Sequence, residues 1–250
     1  MSDNEQKLAV LIDADNISAS YMGPMMEEIA RYGTPTIKRI YGDWTSANAS
    51  GWKKILLDYA VTPIQQYSYT SGKNSTDSAM IIDAMDLLYS GNVTGFCIVS
   101  SDSDFTRLAT RLREAGMLVI GIGEQKTPQP FIASCDRFIY LEIISPKDDN
   151  KSQNNTKQKK KTLPQKVVKL IAGCVNDVAD ENGWAFLGDV GNMVLKKNSA
   201  FDSRNYGYSK LTPLIKSSGR FEIDQRDTSN RGIKHIYIKD REFDKEHGRD

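Results

Sequence analysis

The fold of the first half of this chain is decided by one short stretch, GFCIVSSDSDF, at residues 95–105. An apolar run leads directly into two aspartates, Asp102 and Asp104. A second stretch, LAVLIDADNI at residues 8–17, has the same form and ends in a DAD motif that begins at Asp13. Short apolar runs bounded by polar residues are typical of strands buried on both faces of a parallel sheet. The sequence therefore predicts two buried strands that each end in paired acids.

Strand-like and helix-like patterns alternate regularly from the N-terminus to about residue 145. The predicted strands lie at 7–12, 36–41, 63–67, 95–100, 117–122 and 137–142, and the predicted helices near 21–32 and at 50–60, 75–89, 104–115 and 129–135. Alternation of this kind is typical of parallel βαβ units. We therefore predict an α/β fold with a doubly wound parallel sheet over residues 1–145.

A second, smaller domain is predicted after a basic linker at 146–164, which lacks apolar periodicity and cannot bury enough surface to order itself. Three helical patterns follow and are succeeded by two strands, FEID and KHIYIK; the helices lie at 165–181, 188–197 and 208–217. Three helices closed by a hairpin indicate a small winged helix-turn-helix domain over 165–240. The last residues, 241–250, form a charged tail.

The composition excludes several function classes. The 250 residues contain no apolar stretch long enough to cross a bilayer, and the N-terminus lacks the pattern of a signal peptide, so we expect a cytoplasmic protein without a membrane partner. Cys97, Cys135 and Cys174 show no CxxC spacing, which disfavours disulfides and zinc sites. Two histidines leave little material for a catalytic triad or a histidine-rich metal site.

The near-neutral net charge of +1 is distributed unevenly along the chain. Residues 1–145 carry a net charge of −5, the linker +4 and residues 165–250 +2. A basic joint and a mildly basic second half suggest a nucleic-acid partner for that half. Solvated lysines without a specific role are the alternative explanation for the linker.

The paired acids point to a metal site at one edge of the predicted sheet. Ligands bind outside the carboxyl ends of parallel strands, where the strand order reverses. If the strands before Asp13 and Asp102 are neighbours at that point, their acids converge, and a divalent cation is the usual way to neutralise such a cluster. Oxygen ligands without soft donors select Mg²⁺ or Mn²⁺.

The stretch GKNSTDSAMIIDAMDLL, residues 72–88, supplies further candidates. Asp77 falls in the first turn of a helix, where the helix dipole also favours an acid for purely structural reasons. Asp83 lies among apolar residues, and a buried acid there needs a partner, which the cluster could provide. Asn16 is either a holder of bound water or phosphate or an ordinary turn residue, and Lys73 pairs either with phosphate or with a neighbouring acid.

Together the motifs LIDADNI, KNSTDSAMIIDAMD and SSDSDF resemble the NYN domain, a PIN-like nuclease fold, in its LabA-like and limkain-type branch. The resemblance covers nearly all of residues 7–143. It implies a PIN-like parallel sheet, Mg²⁺ or Mn²⁺, and hydrolysis of RNA phosphodiesters. By matching position it places the catalytic and metal-binding acids at Asp13, Asp77, Asp102 and Asp104, with Asn16 also catalytic and with Asp83 and Lys73 in support.

The stretch from Gly183 to Ile223, and FDSRNYGYSKL within it above all, resembles the LOTUS or OST-HTH domain. This resemblance implies RNA binding and, in some members, a helicase-type protein partner. The basic residues best placed to contact phosphate are Lys196, Lys197, Arg204 and Lys210.

These features predict a metal-dependent ribonuclease with a C-terminal module that binds RNA or recruits a partner. An RNA-binding adaptor with a silent nuclease-like domain is the first alternative. A haloacid-dehalogenase-like phosphatase, with Asp13 as nucleophile and Asp15 as general acid, is the second. The phosphatase lacks an obvious lysine and later acidic pair, and it leaves the LOTUS-like stretch unexplained.

Overall fold

A computed structural model describes residues 5–45, 51–66, 75–144, 163–227 and 234–243 of the chain. The chain divides into two compact units, Met1–Lys147 and Asp148–Asp250. Most of the predicted linker, residues 146–162 of 146–164, lies outside the described residues.

The first unit is built on a six-stranded parallel sheet with the strand order β3-β2-β1-β4-β5-β6. Its strands are β1 (Lys7–Asp13), β2 (Thr34–Gly42), β3 (Thr62–Gln65), β4 (Gly95–Val99), β5 (Leu118–Gly123) and β6 (Arg137–Tyr140). The predicted doubly wound parallel sheet is confirmed.

Helices connect these strands. They are α1 (Met22–Ile29), α2 (Lys53–Asp58), α3 (Ser75–Ser90), α4 (Thr106–Glu114), α5 (Gln129–Ser134) and α6 (Leu141–Ile144). The sequence predicted a strand to residue 142, but β6 ends at Tyr140 because Leu141 turns into α6 and packs into the core. Within the described residues, no helix of either unit has the length and apolar character needed to span a membrane.

The sheet's central strands are buried on both faces. All five residues of β4 are buried, as are six of the seven residues of β1. Continuous apolar runs suit such strands, since helices cover both faces of a parallel sheet. The core therefore fixes the ends of β1 and β4, which is where the sequence places its paired acids.

The strand order reverses between β1 and β4. These two strands are parallel neighbours, with Ile12 opposite Val99 at their carboxyl ends. The loops that follow them therefore leave the same edge of the sheet side by side. The predicted convergence of the two acidic motifs at this reversal is confirmed at the level of the backbone.

The second unit combines helices with a three-stranded antiparallel sheet of order β7-β9-β8. The elements are α7 (Gln165–Val178), β7 (Trp184–Phe186), α8 (Leu187–Lys197), α9 (Leu211–Ser218), β8 (Phe221–Asp227) and β9 (Lys234–Asp240). The predicted winged-helix architecture is confirmed. The sequence missed β7, whose three residues are too few to show an alternating pattern.

Candidate metal centre

The loops after β1 and β4 begin with the same local device. The amide of Asp15 donates to Oδ1 of Asp13 (3.1 Å), and the amide of Asp104 donates to Oδ1 of Asp102 (2.9 Å). In each loop an aspartate side chain accepts from the backbone two residues further on, which is an Asx-turn. These turns fix the first acid of each pair at the point where its strand ends.

Ser100 joins the two loops. Its hydroxyl donates to Oδ2 of Asp13 (2.8 Å) and accepts from the amide of Asp102 (3.1 Å), and the residue is fully buried. Sequence reasoning missed this residue. The available signal was a small hydroxyl side chain directly between an apolar strand and its acids, which the motif SSDSDF contains.

Asp13 is the most enclosed acid of the site, with 1% of its surface exposed. Besides the bonds from Ser100 and Asp15, its Oδ2 accepts from Nδ2 of Asn16 (2.5 Å). Burial raises the pKa of Asp13, and these hydrogen bonds oppose that rise because they stabilise the carboxylate. Asn16 therefore holds Asp13 in place.

Three acids from two elements come together beside this pair of loops. Asp77 comes from the first turn of α3, and Asp102 and Asp104 come from the loop after β4. One carboxylate oxygen from each lies within 4.8 Å of the other two. Asp77 is buried, Asp102 is half-buried and Asp104 is exposed, so the group opens to solvent on one side.

The pKa of Asp77 is raised at this site. Burial, followed by the charges of the neighbouring aspartates, raises it to about 6; those neighbours are Asp13, Asp102, Asp104 and Asp15. Like charges this close disfavour one another's ionisation unless a cation or a proton intervenes. Asp13 does not belong to the group of three, but its charge acts on Asp77 and places it at the same site.

The donor set fits a hard divalent cation. Asp77, Asp102 and Asp104 offer carboxylate oxygens, which Mg²⁺ and Mn²⁺ prefer, and the residues that the structure describes bring no cysteine or histidine into the group. A cation would also relieve the repulsion that raises the pKa of Asp77. The arrangement is therefore suited to binding a metal ion and, beside it, an anionic substrate.

Asp83 takes its partners from β2 and not from the acidic cluster suggested by the sequence. Its two carboxylate oxygens accept from the guanidinium of Arg39 and the hydroxyl of Tyr41. The reason is geometric: Asp83 lies further along α3, against the β2 side of the sheet. This bonding raises the pKa of Arg39, while burial, with Asp83 as a further cause, raises the pKa of Tyr41. Lys73, the other supporting residue, lies outside the described residues.

The four basic candidates in the second unit differ in their bonding. Arg204 forms a two-point pair with Asp202, with Nε and Nη2 at 3.0 and 2.8 Å from its two oxygens. The ammonium of Lys197 bonds the carboxylate of Asp177. Lys196 and Lys210 are exposed. Two of the four predicted phosphate contacts are thus already engaged with acids of their own unit.

Comparison with known proteins identifies the family. A model of the NYN domain matches residues 7–142, more than half of the chain. The chain belongs to the NYN domain family. A model of the OST-HTH/LOTUS domain matches residues 158–233. Both resemblances drawn from the sequence motifs are confirmed.

Two solved structures are similar to the chain. One is a protein of unknown function from Vibrio parahaemolyticus, with 19% identity and a TM-score of 0.48; the match covers 55% of this chain and 94% of that one. The other is an uncharacterised protein from Nitrosomonas europaea, with 28% identity and a TM-score of 0.29, covering 38% and 89%. The comparison with curated proteins found no match.

Family membership gives the acidic group its context. NYN domains are nucleases that usually use divalent metals, and LOTUS domains point to RNA binding. The acidic group lies at the strand-order reversal of the NYN domain. Family membership disfavours the phosphatase alternative, whose nucleophile would be Asp13, a buried acid that accepts hydrogen bonds on both oxygens.

Proposed function

We propose that the protein is a metal-dependent ribonuclease that hydrolyses RNA phosphodiesters at the acidic group of the NYN domain. The proposal rests on the convergence of Asp77, Asp102 and Asp104, whose carboxylate oxygens lie within 4.8 Å of one another. Burial and the neighbouring negative charges raise the pKa of Asp77 there. Acids that served only as turn and helix caps would not need to crowd one another.

Asp77, Asp102 and Asp104 would hold the cation, with Asp13 completing the site. The carboxylate of Asp13 accepts three hydrogen bonds, and a carboxylate can accept about four. Hydrogen bonds from Asn16 and Ser100 fix the orientation of the Asp13 carboxylate and keep it from rotating. The exposed Asp104 lies on the open side, where it would orient water beside the substrate.

A bound Mg²⁺ or Mn²⁺ ion supplies an activated water and neutralises charge on the phosphate. The chain's own contribution is to keep the acids aligned. The two Asx-turns hold Asp13 and Asp102 at fixed positions before any substrate arrives. Asp77 completes the set from a different element, α3, so the site depends on how that helix packs against the sheet.

The test compares the wild-type chain with Asp102→Asn on labelled single-stranded and structured RNAs, in Mn²⁺, Mg²⁺ or EDTA. We expect cleavage in metal and a loss of at least a hundredfold in the variant, because one ligand charge is removed. Asp86→Asn is the matched control: Asp86 is an exposed acid on α3, and its variant should cleave normally.

A second readout does not depend on activity. Mn²⁺ should raise the melting temperature of the wild-type chain and of Asp86→Asn, because it binds the folded state, and should raise that of Asp102→Asn much less. Full cleavage by Asp102→Asn, or equal stabilisation of all three chains, would contradict the proposal. Absence of cleavage in the wild type, with RNA binding intact, would favour an RNA-binding adaptor.

The LOTUS unit would supply RNA binding that brings substrate to the acidic group, and a helicase-type protein is a further proposed partner. We propose functional boundaries of 1–145 for the nuclease domain and 165–240 for the LOTUS domain. A pull-down tests the helicase partner. Tagged residues 146–250 should retain a purified helicase, and tagged residues 1–145 should not.

A further inference from the structure

The outer face of the β7-β9-β8 sheet carries an unusual concentration of flat side chains. Side chains alternate between the two faces of a strand, and the inner residues Ala185 and Ile238 belong to the core. The residues that alternate with them point to the other face. Five of these have planar groups and form what we call the planar strip: Trp184, Phe186, His235, Tyr237 and Arg226.

Neighbouring groups in the planar strip contact one another across the strands. The ring centroid of Phe186 lies 5.0 Å from that of His235 and 5.7 Å from that of Tyr237. The guanidinium carbon of Arg226 lies 4.1 Å from the centroid of Tyr237 and 5.6 Å from that of Trp184. Aromatic and cationic groups therefore run in one connected series over all three strands.

The strip is ordered but remains accessible within its unit. Trp184, Phe186 and Tyr237 are half-buried, while His235 and Arg226 are exposed. Nε of Arg226 bonds Oδ2 of Asp224 at 2.9 Å, and this bond steers the guanidinium over the ring of Tyr237. Binding through such a prearranged group costs less side-chain entropy than binding through a free arginine.

Each acid that the strands place on this face is matched by a cation. Asp224 is neutralised by Arg226, and the other acid, Glu222, lies opposite Lys239 in the strand register. Arg226 thus lies among the aromatic rings, an arrangement typical of surfaces that bind single-stranded nucleic acids, where bases stack on rings and arginine adds cation–π contacts.

We propose that the planar strip is a stacking surface for single-stranded RNA. The proposal rests on the ribonuclease function above, which makes RNA the relevant nucleic acid. It assigns RNA contact to the sheet of the LOTUS unit, where the aromatic rings lie, and not to Lys197 and Arg204. Stacking requires splayed bases, so the strip should select single strands over duplexes.

The test measures binding of a fluorescent single-stranded RNA, and of the same RNA as a duplex, by anisotropy. All chains carry Asp102→Asn and are kept in EDTA, so that no RNA is cleaved. Tyr237→Leu keeps apolar bulk but removes the ring, and Arg226→Lys keeps the charge but removes the planar group. Each should weaken single-strand binding about tenfold and leave duplex binding within about twofold.

Tyr89→Leu is the matched control, because Tyr89 is a strongly exposed tyrosine on α3, outside the strip. It should bind RNA as the parent does. Arg226→Lys alters an exposed side chain, so it keeps the test decisive if Tyr237→Leu fails to fold, which circular dichroism would reveal. The double variant Lys196→Ala/Lys210→Ala tests the helical surface as the rival location.

If the folded Tyr237→Leu and Arg226→Lys chains bind single-stranded RNA as tightly as the parent, the proposal is overturned. This holds whether or not the planar strip binds a protein instead. Equal losses for single strand and duplex would also overturn it, since they would indicate a purely electrostatic contact. Because binding is measured without metal or cleavage, an inactive wild-type chain would sink the ribonuclease proposal and leave this result standing.

Discussion

Each unit of the chain buries an aspartate almost completely, and the two are stabilised by different partners. Asp13 in the first unit and Asp240 in the second are each 1% exposed. Asp240 is held by a two-point pair from Arg220, with Nε 2.9 Å and Nη2 2.7 Å from its two oxygens. Asp13 instead accepts from a hydroxyl, an amide side chain and a backbone amide.

The contrast separates two kinds of buried acid: a structural acid, whose charge is paired with an arginine, and a site acid, whose charge is not paired. An arginine cancels the charge of Asp240 within the fold, so nothing further is needed there. Neutral donors orient Asp13 but leave its negative charge in place. Among the described residues, no lysine or arginine forms an ion pair with Asp13, Asp77 or Asp102, so their charges remain available to a cation from solution.

The first unit contains its own example of the structural kind. Asp83 bonds Arg39 and Tyr41, six residues along α3 from Asp77, or about one and two-thirds turns. Two acids on the same helix therefore differ as Asp13 and Asp240 do. The presence of a guanidinium partner, rather than the unit in which an acid lies, distinguishes the two kinds.

The largest expected effect comes from removing the cation of the structural pair. Arg220→Ala leaves the buried carboxylate of Asp240 without its guanidinium, and we expect a loss of about 3–5 kcal/mol in the stability of the second unit. Hydrogen exchange at the amides of β8 and β9 in the full chain measures it. Lys197→Ala, which breaks the exposed pair with Asp177, is the matched control and should leave exchange nearly unchanged.

Comparable exchange in both variants would mean that Asp240 does not need its arginine. The distinction between structural and site acids would then fail at its clearest example.

The next effect concerns the uncancelled charge of Asp77. A pKa of about 6 in the folded chain exceeds the ordinary 3.8, so the folded state binds this proton more tightly than the unfolded state does. The resulting stabilisation is complete below about pH 4 and is lost as the pH rises through 6. Asp77→Asn should therefore stabilise the metal-free chain by about 2 kcal/mol at pH 7.5 and by much less at pH 4.

Urea unfolding in EDTA at the two pH values measures this difference, and Asp86→Asn is its control, since Asp86 is exposed on the same helix. An equal change at both pH values would attribute the effect to packing and would remove the evidence for charge crowding.

Several parts of the acidic site could be predicted from the sequence, because the patterns that indicate them involve neighbouring residues. Apolar runs that end in acids predicted both strands, and the alternation of elements predicted a doubly wound parallel sheet. That the strand order reverses between these two strands was a condition of the predicted site, and the structure meets it. Asp77 could be placed on a helix for the same reason. Each of these inferences depends on residues close together in the chain.

The remaining features depend on contacts between residues far apart in the sequence. Nothing near Asp83 in the sequence indicates that Arg39 and Tyr41, more than forty residues earlier, are its partners. Strand β7 is recognisable only through its pairing with β9. Ser100 looks like any small residue at a strand end until β1 is placed beside β4 and brings Asp13 to its hydroxyl.

Ser100 gives the smallest and most specific prediction. Ser100→Ala removes a donor to Asp13 and an acceptor for the amide of Asp102, at a cost of about 1–3 kcal/mol in stability. As a positioning residue it should also lower the rate of RNA cleavage, by about tenfold. The rate should recover at a higher pH than in the wild type, because Asp13 loses a bond that favours its ionised form.

The matched variant is Ser101→Ala, which removes the acceptor for the amide of Glu124 at 2.9 Å and so loses a part-buried bond outside the acidic group. It should be destabilised to a similar degree while cleaving RNA with the wild-type pH profile. If both serine variants lost stability and activity in parallel, Ser100 would be one more structural hydroxyl. A shifted pH profile in Ser100→Ala alone would instead show that neutral hydrogen bonds set the ionisation of Asp13.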